Sequence, residues 1–222
     1  RLGEGAPRRQ PKPVDFPDAR RQFLTPSRAE RYDVVVVGAS TSGLHAARAL
    51  AASGRSVAVL ERKGDHTRPG RSWIVTDRLL QFLPDLPERA VLHRTGVMEV
   101  TAGRAVRAVP LSRPDLVVER TEVMRHLRDR ATAEGVTLVE GVDVREIRAG
   151  SSGLVVEALD RSDGAERRFL ARDLVGADGV ASTVATRFGA GRQKAVPVVQ
   201  ASVSLPDGYD PNVTRVWFDR DG

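Results

Sequence analysis

The chain contains no cysteine, and this absence removes several classes of chemistry. Disulfide bonds, thiolate metal sites and cysteine nucleophiles are all excluded. The four histidines are scattered along the chain, so the sequence predicts no metal centre. Aromatic residues make up only 5% of the chain, which is too few for a platform on which nucleic-acid bases could stack.

Long hydrophobic runs are absent as well. No stretch approaches the ~20 apolar residues of a membrane span, and the N-terminus lacks the hydrophobic segment of a signal peptide. We therefore expect no membrane span and a cytoplasmic location.

Charged residues are abundant, and most of the positive charge comes from arginine, because the only lysines are Lys12, Lys63 and Lys194. Much of the net charge of +6 comes from residues 1–31, which are rich in proline and arginine and show no apolar periodicity. We interpret this segment as a mobile basic extension. The excess charge alone does not indicate nucleic-acid binding, and we expect no nucleic-acid partner.

What the sequence does contain is a strand, a glycine turn, a helix and a second strand within residues 33–61. Residues 34–37 are four consecutive valines, typical of a parallel strand that is buried on both faces. Gly38 follows at once, and Gly43 lies where a side chain would keep the helix away from the strand. The second strand covers residues 56–60 and ends at Glu61.

This unit is suited to hold a dinucleotide. The helix N-terminus offers free N–H groups and a positive dipole end to a pyrophosphate, and Glu61 is placed to accept hydrogen bonds from ribose hydroxyls. Ser40 replaces the middle glycine of the GxGxxG fingerprint; its hydroxyl could donate to a phosphate, although its side chain hinders the closest approach. The further candidate ligands around this unit are Ser42, Arg62 and Arg71.

A second pattern, DLVGADGVASTVATRFG, begins at Asp173 and reads as a short strand, the pair Asp178 and Gly179, and a helix. Together with the first unit it resembles the FAD-dependent aromatic hydroxylases typified by para-hydroxybenzoate hydroxylase, and the related geranylgeranyl reductases. The resemblance implies that the dinucleotide is FAD. It also implies that Asp178 lies against the ribityl chain and close to the pyrophosphate.

A third pattern covers residues 119–144 and reads as a helix that ends near Gly135, followed by a strand at residues 136–139. In the same superfamily, a residue just before this helix contacts the flavin and a strand farther on passes the adenine. Arg120 and Val144 match those two positions. Arg120 fits a solvent-exposed arginine equally well, so both interpretations stay open.

The predicted fold class is α/β: a Rossmann-like FAD-binding domain with a parallel sheet, helices and a β-meander, plus the beginning of a β-rich substrate domain. The meander is expected at residues 142–147, 154–159 and 166–170, and the substrate sheet is expected to resume at 196–205 and 214–218. The expected division is the extension at 1–31, the FAD-binding domain at 32–90 and 120–189, substrate-domain strands at 91–119, and an incomplete substrate sheet at 190–222.

The sequence therefore predicts a flavoprotein oxidoreductase that takes electrons from NAD(P)H. Two reactions fit: hydroxylation of a small aromatic or polyketide-like substrate, or reduction of isoprenoid double bonds. Reductases of the second kind can carry a cysteine after the second strand, where this chain has Ser72 and Trp73, and this favours a monooxygenase. For Trp73 itself, the simpler interpretation is a side chain that fills the seam between domains, and a place at the flavin is the alternative.

Two rival interpretations remain at this stage: an NAD-dependent dehydrogenase, and a non-catalytic nucleotide-binding module. The resembled enzymes also carry a Gly-Asp pair at a later helix start, which this sequence lacks. We therefore expect a fragment or a short form that binds FAD weakly. We also expect an apolar surface along residues 196–218 that pairs with a missing C-terminal half or a partner chain.

Overall fold

The computed structural model describes residues 29–63, 71–151, 153–191, 193–204 and 206–218. The predicted α/β class is confirmed, with a six-stranded and a four-stranded sheet. Most of the predicted basic extension lies outside the described residues. The strands are β1 (Glu30–Val37), β2 (Val57–Glu61), β3 (Ser72–Val75), β4 (Val91–Ala102), β5 (Ala105–Glu119), β6 (Thr137–Glu140), β7 (Val142–Gly150), β8 (Gly153–Asp160), β9 (Glu166–Gly176) and β10 (Val213–Phe218). The helices are α1 (Thr41–Ala52), α2 (Leu79–Phe82), α3 (Arg120–Ala133) and α4 (Thr183–Arg187).

The first sheet has the strand order β6-β2-β1-β9-β8-β7. Strands β6, β2, β1 and β9 are parallel, whereas β8 and β7 continue the sheet as antiparallel neighbours. The predicted meander is therefore present as β7, β8 and β9. The separate strand expected at Asp173 is instead the second half of β9, which pairs first with β8 and then runs beside β1. One continuous strand thus connects the meander to the nucleotide-binding unit.

The four valines of β1 divide between two apolar cores, because successive side chains of a strand point to opposite faces. Val34 and Val36 pack under α1 and α3. Val35 and Val37 pack against side chains of the meander, so the meander covers the other face of the sheet. All four valines are buried, which explains why this strand is uninterrupted by polar residues.

The second sheet has the order β10-β4-β5-β3. Its centre is the antiparallel hairpin of β4 and β5, which turns at Gly103 with a φ of +59°. The two strands fill the range 91–119 in which substrate-domain strands were predicted, and their pairing continues past Pro110 and across two irregularities in β4. Leu116 and Val118 at the far end of β5 pack into the core under α1 and α3, which joins the two sheets.

The strand predicted at residues 196–205 is not formed in its described part, residues 196–204, whereas β10 forms where it was expected. The apolar side chains of this stretch are 80–93% exposed, so no neighbouring strand gives them a surface to pack on: Val196, Val198, Val199 and Val203. Gln200 nevertheless donates hydrogen bonds to the backbone oxygen (3.1 Å) and hydroxyl (2.9 Å) of Ser72. None of the helices in the described ranges is long and apolar enough to cross a bilayer.

Candidate dinucleotide site

The turn after β1 is built for a residue without a side chain. Gly38 has a φ of +103°, and a Cβ atom there would lie 2.3 Å from the carbonyl oxygen of Ala177. Ala177 is in turn fixed, because its N–H donates to the oxygen of Val37 at 2.8 Å. The predicted requirement for glycine at position 38 therefore has a specific cause: the chain that leaves β9 crosses directly over the turn.

Helix α1 begins against this turn. A Cβ atom on Gly43 would lie 1.9 Å from the carbonyl oxygen of Gly38, so only glycine lets the helix approach so closely. Ser40 is the N-cap residue, and its hydroxyl makes no capping hydrogen bond. The first N–H group to form an intrahelical hydrogen bond is that of Leu44, which donates to the carbonyl oxygen of Ser40 at 2.9 Å. The N–H groups of the first helical turn before Leu44 are thus available to an anion, and the side chains of Ser40 and Ser42 are exposed beside them.

Glu61 ends β2 and reaches back to the turn. Its Oε2 accepts a hydrogen bond from the N–H of Ala39 at 2.8 Å, and its Oε1 accepts one from the N–H of Lys63, also at 2.8 Å. Each carboxylate oxygen has a second lone pair that can still accept from a ribose hydroxyl. The acid is therefore held beside the start of α1, and it braces the turn at the same time.

A cleft at the carboxyl ends of β1 and β2 brings together five of the predicted site residues: Gly38, Glu61, Arg62, Val144 and Asp178. Val144 comes from β7, more than 80 residues after Glu61, and is 7% exposed. Two polar residues of the wall, Asp143 and Thr183, were not predicted. Asp143 pairs with Arg145 at 2.9 Å. It directly precedes Val144, and this adjacency to a predicted position is the signal by which the sequence could have indicated it.

Asp178 is engaged by the helix that follows it. One carboxylate oxygen accepts from the N–H groups of Thr183 (2.7 Å) and Val184 (3.2 Å), and the other accepts from the hydroxyl of Ser182. Ser182 also caps α4, because its hydroxyl accepts from the N–H of Ala185 at 2.8 Å. Gly179 has a φ of +79° and open space around it. The Asp-Gly pair thus turns the chain into α4 and holds one wall of the cleft.

Arg71 and Arg120 lie elsewhere, at the junction of the two sheets, and do not line this cleft. The N–H of Arg120 donates to the oxygen of Arg71 at 2.9 Å, and its guanidinium lies 5.5 Å from the ring centroid of Trp73. Trp73 is half-buried against the core under α1 and α3, as a seam-filling side chain would be. The structure therefore places these two arginines beside each other and outside the lining of the cleft that contains Glu61 and Asp178.

Comparison with known proteins identifies the class to which this geometry belongs. Residues 31–217 match the sequence profile of the family described as FAD binding domain. The geranylgeranyl diphosphate reductase of rice chloroplasts (Oryza sativa subsp. japonica) is 31% identical over 188 residues, covering 80% of this chain and 41% of the rice protein. The reductase of the same name from Rhodobacter capsulatus is 29% identical over 195 residues, covering 85% and 49%. The chain thus spans half or less of the length of these curated relatives.

Solved structures show the same fold. A geranylgeranyl bacteriochlorophyll reductase-like protein from Thermoplasma acidophilum superimposes with a TM-score of 0.67 at 17% identity, over 87% of this chain and 51% of that protein. The anhydrotetracycline hydroxylase OxyS from Streptomyces rimosus gives a TM-score of 0.62 at 24% identity, over 72% and 34%. Reductase-like and hydroxylase structures therefore share this architecture.

Proposed function

The chain belongs to the FAD-binding domain family, and from this premise we propose that the cleft at the ends of β1 and β2 binds the adenosine diphosphate half of FAD. The observation that carries the proposal is the start of α1, where Leu44 is the first residue to donate within the helix and the N–H groups before it face the cleft edge beside Glu61 without an intrahelical acceptor. Glu61 stands at the position where a carboxylate can accept from the ribose hydroxyls.

The proposed roles of the remaining residues follow from their places. The hydroxyls of Ser40 and Ser42 are exposed beside the helix start and can donate to the pyrophosphate. Val144 and Arg62 line the end of the cleft beyond Glu61, where the adenine would lie. Asp178 and Gly179 would border the pyrophosphate and ribityl chain at the α4 wall.

Arg120 and Arg71 belong to the flavin side of this proposal. The guanidinium of Arg120 stacks on Trp73, which restricts its motion and directs a fixed cation toward the junction of the sheets. The arginines would then contact the cofactor rather than stabilise the fold.

When bound, FAD would supply the redox chemistry, while the protein orients the cofactor and excludes water. We propose an FAD-dependent oxidoreductase with NAD(P)H as electron donor. Reduction of isoprenoid double bonds is the better supported reaction, because both curated relatives are named as geranylgeranyl diphosphate reductases and align with at least 80% of this chain. Hydroxylation of a small aromatic or polyketide-like molecule is the second candidate, favoured by the hydroxylase fold match and by the lack of cysteine.

The second sheet adds a proposal about partners. The exposed valines of residues 196–203 lie in a stretch that bonds through Gln200 to Ser72 of β3, the opposite edge strand of this sheet. Trp217 and Phe218 on the edge strand β10 are 66% and 63% exposed. Apolar residues on an unpaired strand edge favour association. We propose that this surface contacts further protein in the active enzyme, from the same polypeptide or from a partner chain.

The cofactor proposal is tested by isothermal titration of the 222-residue protein with FAD, ADP and NAD⁺ in parallel. FAD binding that is tighter than NAD⁺ binding, together with measurable ADP binding, supports it. Tighter binding of NAD⁺ would indicate an NAD-dependent dehydrogenase instead. Binding of none of the three would indicate that the βαβ unit has only a structural role.

The reaction is tested on the FAD-loaded protein with NADPH or NADH. Incubation with geranylgeranyl diphosphate without oxygen, followed by mass spectrometry, detects the gain of two hydrogens for each reduced double bond. Incubation in air with aromatic compounds detects the gain of one oxygen. The first product supports the reductase, and the second product alone supports the hydroxylase.

A further inference from the structure

One of the three acids in the cleft wall has a carboxylate oxygen to spare. The three acids are Glu61, Asp143 and Asp178. Both oxygens of Glu61 accept from backbone N–H groups, and both oxygens of Asp178 serve the start of α4. Within the described residues, Asp143 is engaged only through Oδ2, which lies 2.9 Å from Nη2 of Arg145. Its side chain is 21% exposed, so a ligand in the cleft can reach the other oxygen, Oδ1.

The turn between β6 and β7 places Asp143 at this wall. Strand β6 pairs with β2 as far as Glu61, and Gly141 then turns the chain with a φ of +72°. Strand β7 starts at the next residue, Val142. Val142 and Val144 are buried in the core that the meander forms with β1 and β2. Because successive side chains of a strand point to opposite sides, Asp143 is directed away from that core.

An acid at this position can distinguish one base from another. In the proposed function the adenine lies beside Val144 and Arg62, and Asp143 directly precedes Val144. The 6-amino group is the hydrogen-bond donor of adenine, whereas its ring nitrogens accept. A carboxylate accepts only, so the 6-amino group is its natural partner on the base. Guanine and hypoxanthine carry a carbonyl oxygen at position 6, and a carboxylate facing that oxygen would set two acceptors against each other.

The ion pair with Arg145 is compatible with this contact. The guanidinium is 62% exposed, and ion pairs of exposed side chains are weak, so the pair does not bind up the whole carboxylate. It holds Oδ2 and leaves Oδ1 for the base. It also offsets the negative charge that Asp143 would otherwise bring close to an anionic cofactor.

We infer that Asp143 selects adenine over 6-oxopurines at this site, by accepting a hydrogen bond from the 6-amino group. The inference rests on the proposed function, because it concerns the base bound in the same cleft. It goes beyond that function in assigning base selectivity to one side chain. The predicted consequence is a preference for adenine nucleotides that a change at position 143 removes.

The test is isothermal titration of the wild type and of Asp143→Asn with ADP and with IDP, in which a carbonyl oxygen replaces the 6-amino group. The wild type is expected to bind ADP about ten- to hundredfold more tightly than IDP, the range for one hydrogen bond to a charged group. The amide of Asp143→Asn can accept from the amino group or donate to the carbonyl oxygen. Its preference for ADP is therefore expected to fall to about threefold or less.

The ratio of the two affinities separates base recognition from damage to the fold. A variant that only disturbs the cleft weakens ADP and IDP alike and leaves the ratio unchanged. The matched control is Asp129→Asn, which removes the same charge from an exposed position on α3 that does not line the cleft. It should keep the ratio of the wild type.

Three results would overturn the inference while the proposed function stands, provided that the wild type binds ADP. They are equal binding of ADP and IDP by the wild type, an unchanged ratio in Asp143→Asn, and an equal fall of the ratio in Asp129→Asn. If the wild type binds neither ADP nor FAD, the proposed function fails and the inference fails with it.

Discussion

A Cβ atom on Gly43 would lie 1.9 Å from the carbonyl oxygen of Gly38, so the start of α1 and the end of β1 are in direct backbone contact. No side chain can yield here, because both partners are backbone. The contact fixes the distance between the strand end and the free N–H groups of the helix. The same two glycines therefore determine how closely the helix start approaches the strand end.

Gly43→Ala should lower the free energy of unfolding by about 2–3 kcal/mol, since the methyl group forces a backbone shift. FAD affinity should fall at least tenfold because the helix start moves away from the turn. Urea unfolding and titration of flavin fluorescence measure the two effects.

The control for these glycines is Gly54→Ala. Gly54 also has a positive φ, +84°, but a Cβ atom there meets nothing within 4 Å. Gly54→Ala should lower the free energy of unfolding by about 1 kcal/mol and leave FAD affinity unchanged. Equal losses in Gly43→Ala and Gly54→Ala would contradict the role of the close contact.

Glu61→Ala should weaken FAD by about one to three orders of magnitude, because it removes the proposed acceptor of two charge-assisted hydrogen bonds from the ribose. The bonds to the N–H groups of Ala39 and Lys63 mean that stability should fall as well, by about 1–2 kcal/mol. Glu61→Gln keeps one acceptor oxygen and should lose less in both measurements. Unchanged FAD affinity in Glu61→Ala would remove the residue from the site.

The two serine N-caps should behave differently when replaced by alanine. Ser40 makes no capping bond, so Ser40→Ala should barely change stability, whereas Ser182→Ala breaks the bond to Ala185 and should cost about 1 kcal/mol. For FAD, Ser40→Gly should retain or improve affinity if the backbone of the turn faces the phosphate. A large loss of affinity in both Ser40 variants would identify the hydroxyl as a ligand.

Asp178→Asn separates a capping role from direct contact with the cofactor. It replaces one of the two carboxylate oxygens that serve Ser182, Thr183 and Val184, so it should cost about 1–2 kcal/mol of stability. If Asp178 acts by holding α4, Asp178→Asn and Ser182→Ala should lose FAD affinity in proportion to their loss of stability. A loss of affinity in Asp178→Asn that far exceeds this proportion would indicate a direct ligand. Thermal unfolding and FAD titration of the two variants provide the comparison.

Much of the proposed adenosine site could be predicted from the sequence because it is local. The strand, the glycine turn, the helix and Glu61 lie within residues 33–61, where spacing along the chain determines spacing in space. The helix at α3 and the strands of the meander were also predictable, since each has its own apolar periodicity. The stretch at 196–205 was predicted wrongly as a strand because its valines have strand character, but a strand also needs a neighbour, and none is present in the described part.

The sequence by itself determined the class of the fold, the turn that can receive a phosphate and the acid at the end of β2. Tertiary structure decided which distant residues share that site. Pairing of β9 with β1 carries Ala177 over Gly38, and the register of β6 against β2 sets Glu140 beside Glu61. Tertiary structure also decided that Arg120 stacks on Trp73 and does not line the cleft. Strand register and crossing depend on the packing of both sheet faces at once, a condition that no local pattern of residues contains.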